Sequence, residues 1–308
     1  MTLQQLRYLI AIAETGSISA AANAIYASQS NLSIAIKELE REFGFSIFTR
    51  SNRGVALTNE GTELLAYARQ VVEQADMLEG HFAGKTHGAR LSVSTQHYAF
   101  CVQAFIITAG KYKVDEYDFI LREAATGEII DDVRSFRSEI GILYIDKNNA
   151  RVLNKAFDDA NLTFRPLFEA PVHVFVGEQH PLANKKLIEL DDLKEFPRYS
   201  FEQGTTNSFY FSEEPLSEIP HKRNIRISDR GTLTSLLTGF DGYTLSTGIL
   251  TPEMQDGIVS IPLDTDVTMT VGYLIHKERK LNELLGAYIE NLCDVIKSNP
   301  NVATYLGE

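Results

Sequence analysis

The first 57 residues constrain the fold most, because their apolar stripes are too short and too closely spaced for anything but a compact bundle of small helices. Apolar side chains recur at Leu3, Leu6, Ile10 and Ala13, one face of a helix. Gly16 stops it, since glycine accepts the left-handed conformation a helix end requires. Ser17 caps a second helix, whose Ala20, Ala21, Ala22 and Ala24 permit the close approach of a helix-turn-helix. Ser28 caps a third, with Leu32, Ala35 or Ile36, Leu39 and Phe43 turned inward and Gly44 as its stop. The opposite face of that third helix begins with Gln29, Ser30, Asn31 and Ser33, followed by Lys37. Amides pair with adenine edges, hydroxyls adapt to either partner, and a helix N-terminus such as that at Ser28 favours a phosphate. Two short apolar runs, 47–50 and 55–57, then flank the turn Ser51-Asn52-Arg53-Gly54 and read as a β-hairpin. Arg50 and Arg53 at its tip suit backbone phosphate or a minor groove, as in a wing.

Thr58 caps a longer helix. Its Leu64, Ala68, Val71, Ala75, Leu78 and Phe82 follow alternating spacings of four and three, the seam of a helix that pairs with another. Self-pairing places two reading helices on neighbouring major grooves and suits a palindromic duplex site. Gly80, Gly84 and Gly88 mark the exit toward the rest of the chain. Charge separates the same way. The chain carries a formal net charge of -12. Its first 57 residues hold five bases (Arg7, Lys37, Arg41, Arg50, Arg53) against four acids (Glu14, Glu38, Glu40, Glu42), so the acidic excess lies beyond them.

Together these residues resemble the LysR-type transcriptional regulators. The resemblance is carried by Leu6-Arg7-Tyr8, Gly16-Ser17-Ile18-Ser19-Ala20-Ala21-Ala22, Ser28-Gln29-Ser30, Ser33, Ile36, Leu39-Glu40, Phe48-Thr49-Arg50 and Leu57-Thr58 followed by Gly61. Ile34 departs from the family pattern, where a polar or basic residue often stands beside the serine. The resemblance implies an α+β chain overall. Its parts are an α-rich winged helix-turn-helix head over 1–58, a long linker and dimerisation helix with hinge over 59–88, and a two-lobed α/β effector-binding domain resembling periplasmic binding proteins over 89–308. The lobes are expected at 89–165 with 264–308, and at 166–263.

The later sequence fits strands alternating with helices, and hence a largely parallel sheet. Strands are expected at 91–95, 119–121, 140–145, 172–176, 224–227, 243–245 and 271–275. Helices are expected at 98–112 and 128–136, with a last one presenting Leu281, Leu285, Tyr288 and Leu292. Residues 164–167 and 262–266 are the expected crossovers between lobes. In such a sheet a ligand sits beyond the carboxyl ends of the strands. That singles out Ser94, Thr95, Gln96 and His97, then Ala125 and Thr126, and from the second lobe Phe201, Gly204, Thr205, Ser246 and Thr247. Hydroxyls and a helix N-terminus point to an anionic or amino-acid-like metabolite as effector, with no other cofactor.

Enzyme classes find little support. The histidines His81, His87, His97, His173, His180, His221 and His276 make no metal-binding spacing. Gly239-Phe240-Asp241-Gly242 lacks a nucleotide-binding pattern, and Thr244-Leu245-Ser246-Thr247-Gly248 lacks the first glycine of a nucleophile elbow. Cys101 and Cys293 are too few and too distant in sequence for a disulfide framework or a cysteine-rich zinc site, which fits a reducing cytoplasm. The longest apolar run, 8–13, is far short of the ~18 residues of a membrane span. The expected partners are therefore double-stranded DNA, a second copy of the chain (a dimer or, by the resemblance, a tetramer), a small effector, and RNA polymerase as a further candidate. The competing reading is a small-molecule-binding protein whose helical head mediates protein association.

Overall fold

The computed structural model describes residues 1–51, 54–82, 89–112, 116–204, 208–251 and 256–306, without the side chains of 50, 51, 54 and 80–82. The chain forms two compact units, 1–87 and 88–308.

In the first unit, α1 (Leu3–Thr15) starts at a capping box, Thr2 Oγ1 accepting from Gln5 N while Gln5 Oε1 accepts from Thr2 N. Gly16 ends it at φ 64°. α2 (Ile18–Ala24) is capped by Ser17, and α3 (Gln29–Phe43) runs from the Ser28 cap to Gly44 at φ 78°. β1 (Phe48–Ser51) and β2 (Gly54–Leu57) form the antiparallel wing, and α4 (Asn59–Phe82) follows. The predicted α1 stripe is rotated. Leu6, Leu9, Ala11 and Ile12 are buried, whereas Leu3 is exposed and Ile10 and Ala13 are half-buried. α1 is packed by α2, α3 and α4, so its buried arc centres on Leu9 and Ile12.

The wing is tied to α3 through Glu40, whose Oε1 accepts from the backbone N–H of Ile47 at 2.8 Å. Thr58 Oγ1 donates to Ser46 O at 2.8 Å and accepts from Gly61 N at 2.9 Å, joining the hairpin to the start of α4. Gly61 has no room for a side chain there. A Cβ would lie 2.1 Å from Ile47 O.

The second unit has a six-stranded sheet in the order β13-β6-β12-β5-β3-β4. Its members in chain order begin with β3 (Ala89–Thr95), α5 (Ala99–Lys111), β4 (Tyr117–Glu123), α6 (Thr126–Arg134), β5 (Ile140–Ile145), α7 (Ala150–Asp159) and β6 (Leu162–Pro171). The chain then leaves for a three-stranded sheet of β7 (His173–Gly177), β10 (Thr244–Ser246) and β11 (Ile258–Pro262), joined by the pair β8 (Arg198–Phe201) and β9 (Asn224–Ile227) and by α8 (Arg230–Gly239). It returns through β12 (Thr268–His276), α9 (Glu283–Lys297) and β13 (Thr304–Tyr305). Strand residues alternate between two cores. Ile140, Ile142 and Tyr144 join Phe100, Tyr288 and Leu292 on one face, while Leu143 and Leu274 join Ile129, Val133 and Phe157 on the other.

Two expectations are corrected. The sheet is mixed: β3 is parallel to β4 and β5, but β12 runs antiparallel to β5 and β6, and the second sheet is wholly antiparallel. Residues 164–167 are not a crossover. They lie inside β6, which pairs with β12 along its length, and the chain crosses at Val172.

Candidate nucleic-acid interface and effector cleft

Leu32, Ile36 and Leu39 fix α3 on the head's core, and the Ser28 cap sets where the helix begins. Ser28 Oγ accepts from Asn31 N at 3.2 Å and shares a hydrogen bond with Ser30 Oγ at 3.1 Å, so Ser28 builds the helix start. Gln29, Ser30, Asn31 and Lys37 are exposed on the outer face and Ser33 is half-buried beside them. Two exposed residues extend this face. Ile34 stands among the polar groups at 56% exposure. Tyr26, in the turn before α3, is 99% exposed and holds φ 53°, a conformation that favours glycine or asparagine. The sequence signal for Tyr26 was an aromatic residue in a turn. Arg50 lies on β1, with its side chain outside the described residues, as is all of Arg53. Arg7 does not belong to this face, because its guanidinium pairs with Asp76 at 2.5 Å and Glu79 at 3.4 Å on α4.

The seam predicted on α4 divides. Ala68 is buried in the head's own core, and Leu64 packs against it with Leu65 and Val72. Ala75 is half-buried, while Val71 and Leu78 are exposed and Tyr67 joins them at 61% exposure. A spacing of four and three serves equally for packing on α1, and that contact claims the first half of the stripe.

In the second unit the strand-end residues have unequal roles. Ser94 is fully buried and spends its hydroxyl on Asp132 Oδ2 at 2.6 Å and Ser138 Oγ at 2.8 Å, so it belongs to a core network rather than to a ligand surface. Gln96 is also consumed: Nε2 donates to Thr126 Oγ1, and Oε1 accepts from Tyr98 OH and Tyr144 N. Thr247 is buried, and its Oγ1 accepts from Ile249 N in a local turn. Thr95 Oγ1 is buried with no hydrogen-bond partner among the described residues. Ala125 precedes α6 without a side-chain cap, and Thr126 N donates to Gln203 Oε1 at 3.2 Å. Gly204 holds φ 55°, and Thr205 lies outside the described residues.

His97 is the centre of the cleft between the two sheets. Its backbone N–H and ring Nδ1 both meet Glu213 Oε2, at 3.0 and 2.8 Å, and its ring stacks on Phe201 at 3.8 Å. Burial lowers the tendency of His97 to hold a proton, but the Glu213 hydrogen bond and the charges of Glu213, Glu123 and Glu214 outweigh it and raise the pKa. Glu214 accepts from Phe201 N and Ser212 Oγ, both at 2.9 Å. Burial, with Glu213 beside it, pushes its carboxyl up to about 7. Arg230 reaches across to Glu123 at 2.8 Å, and Asn148 Nδ2 to Glu218 Oε1 at 2.9 Å. The space left beside His97, Glu213, Arg230 and Ser246 is about 30 Å³. A larger groove of about 400 Å³, lined by Ser200, Gln203, His221 and Arg226, lies along β8 and β9. Among the described residues no cluster of His, Cys, Asp and Glu could hold a metal ion, and no helix is long and apolar enough to cross a membrane.

A winged helix-turn-helix with a free reading face, followed by a two-lobed α/β unit with an interlobe cleft, defines a ligand-responsive DNA-binding regulator. The chain belongs to the LysR family of transcriptional regulators: the lysR-family bacterial regulatory helix-turn-helix protein matches residues 3–62, and the LysR substrate binding domain matches 115–296. The DNA-binding transcriptional dual regulator OxyR of Escherichia coli strain K12 is 26% identical over 282 residues, covering 85% of each chain. A hydrogen peroxide-inducible genes activator of Pectobacterium carotovorum is 25% identical, covering 97% of each. Full-length CbnR in complex with its target DNA has the same fold, with a TM-score of 0.58, 19% identity, and coverage of 96% of this chain and all (100%) of that one.

Proposed function

We propose that the exposed N-terminal face of α3 reads DNA in the major groove, with Gln29, Asn31 and Ser33 on base edges, and that a small molecule held between the lobes controls the outcome. The free polar face of a capped, rigidly seated α3 carries this reading. Lys37, Arg50 and Arg53 hold phosphates or the minor groove. Two copies pair through the outward part of α4, where Val71, Leu78 and Tyr67 form an apolar stripe, and the arrangement of copies sets the spacing of the reading helices. The chain acts in the cytoplasm as a regulator rather than an enzyme. Hydrogen peroxide is named for one of these relatives; here Cys101 is fully buried with its thiol pushed up to about 12 by burial, and Cys293 is half-buried.

Ile34 adds a sharper element. An apolar side chain on a major-groove face gains most from the methyl group of thymine. Deoxyuridine in place of the contacted thymine removes that methyl and keeps every hydrogen bond. The loss expected is about fourfold in affinity, from ~0.8 kcal/mol per buried methyl. Ile34→Ala should lose the same amount on thymine DNA and show no further loss on uracil DNA. Gln29→Ala should relax base preference, while Lys37→Ala weakens binding to all sequences alike. Binding measured on a panel of single-base operator variants checks both. Unchanged specificity in Gln29→Ala would place the reading face elsewhere and favour a head built for protein association.

A further inference from the structure

The turn that leads into α5 already holds a carboxylate. Glu213 is nearly enclosed, with its side chain 5% exposed, and its two oxygens receive three donors: His97 N and His97 Nδ1 on Oε2, and Gln203 Nε2 on Oε1 at 3.2 Å. α5 has no side-chain cap of its own, since Tyr98 at its N-cap makes no cap hydrogen bond. His97 immediately precedes that N-cap, and its backbone N–H and ring both meet a carboxylate that the protein itself supplies. From these contacts we infer that Glu213 is a built-in stand-in for the effector's acid group, and that a small carboxylic acid acts on this regulator by exchanging with it.

This inference rests on reading the interlobe cleft as the effector site, and it names the ligand class and the regulation of that site. Three further observations carry it. First, the space left beside Glu213 is about 30 Å³, far below the ~300 Å³ of a typical metabolite pocket, so Glu213 fills room that a ligand's acid group would need. Second, Glu213 sits on a segment with its own anchor. Arg198 donates to Pro215 O at 2.8 Å and Leu216 O at 2.9 Å, and Ser217 Oγ donates to Phe209 O at 2.9 Å. The segment from Ser208 to Ser217 is thereby held at its base, with Glu213 at the end that reaches the other lobe. Third, the closed arrangement holds strain. Leu216 is buried with φ 59°, and two glutamates stand side by side in a dry site.

Exchange with an effector acid therefore trades one carboxylate for another on the same donors and releases the segment. The two states differ in where residues 208–217 lie, and Thr126 N to Gln203, Arg230 to Glu123 and Asn148 to Glu218 are the cross-lobe contacts that remain to be rearranged. A ligand that binds both states equally would shift nothing, so the acid must prefer the released one.

The test uses full-length Glu213→Ala, which lacks the equivalent of an acetate ion, with sodium acetate as the probe and sodium chloride at equal ionic strength as control. Acetate should raise the thermal midpoint of Glu213→Ala in a saturable way, at concentrations at least tenfold below any effect on the wild type, and acetamide should not. Glu213→Gln keeps the volume and loses the charge, so its acetate response should fall between the two, and it serves if Glu213→Ala does not fold. Equal responses in all three proteins, or no response in either variant, overturn the inference. DNA footprints of Glu213→Ala with and without acetate separate the two claims. Acetate binding with identical footprints leaves the built-in carboxylate standing and overturns the effector reading of the cleft.

Discussion

Arg198→Ala is expected to lower the stability of the second unit by about 3 kcal/mol, from one buried carbonyl left without a donor, a second that loses one of its two, and the space left by a large side chain. Arg198 is 6% exposed on β8, and its guanidinium forks onto Pro215 O and Leu216 O. Leu216 O also accepts from Ile219 N at 3.2 Å, so among the described residues Pro215 O is the one that depends on Arg198 alone. Arg198→Lys should recover little, because one ammonium does not reproduce a planar fork. Loss of the guanidinium also removes the positive charge that restrains Glu214, so the Glu214 carboxyl should move further up. Urea unfolding of the full chain, following a probe in the second unit, measures the loss. A change below about 1 kcal/mol, the range of an ordinary surface substitution and a little more, would mean the segment is held by something other than Arg198.

The second large effect is on pH dependence. Glu214 has an ordinary carboxyl pKa of 4.5 when unfolded and about 7 when buried in the cleft. Below pH 4.5 both states hold the proton and nothing is lost. Between 4.5 and about 7 the unfolded chain releases its proton while the folded chain retains it, so stability falls as pH rises, by at most about 3 kcal/mol in all. His97 acts in the same direction: its raised pKa gives stability that is present below 6.5 and is lost as pH rises through the folded value. The groups facing Glu214 are Glu213, Arg198, Ser212, His97, Tyr98 and Tyr144. Glu214→Gln should flatten most of the slope between pH 5 and 7.5 and leave the smaller His97 part. Parallel curves for wild type and Glu214→Gln would show that Glu214 is ionised throughout.

The head was legible because its rules are local. Ser17 and Ser28 cap the helices they precede, Gly16 and Gly44 end them in the left-handed conformation, and Leu32, Ile36 and Leu39 are buried as their spacing requires. Where several neighbours compete for one helix, spacing misleads. α1 is turned toward Leu9 and Ile12 by three partners, and Ala68 belongs to the head's own core although its heptad position allowed a second chain. The antiparallel pairing of β12 with β6 depends on contacts more than 90 residues apart in the chain and left no local signal.

The cleft was legible only in part, for a similar reason. Strand ends mark its location, and His97, Phe201 and Ser246 do meet there. Ser94, however, points to the face covered by α6, and Gln96 is enclosed by Thr126, Tyr98 and Tyr144, which no count of residues along the strand reveals. Glu213 and Glu214, followed by Pro215, belong to no motif or periodic stripe of the sequence. Only the tertiary structure brings Glu213 to His97 and drives Glu214 out of water.

As a LysR-family regulator the chain binds DNA selectively through its head. Fluorescence anisotropy of the full-length protein with DNA from upstream of its own gene, beside an unrelated duplex, at about 50 and 200 mM salt, tests it most directly. Tighter binding to its own DNA and a steep loss of affinity at the higher salt are the expected result. Equal and negligible binding to both duplexes at the lower salt would contradict it.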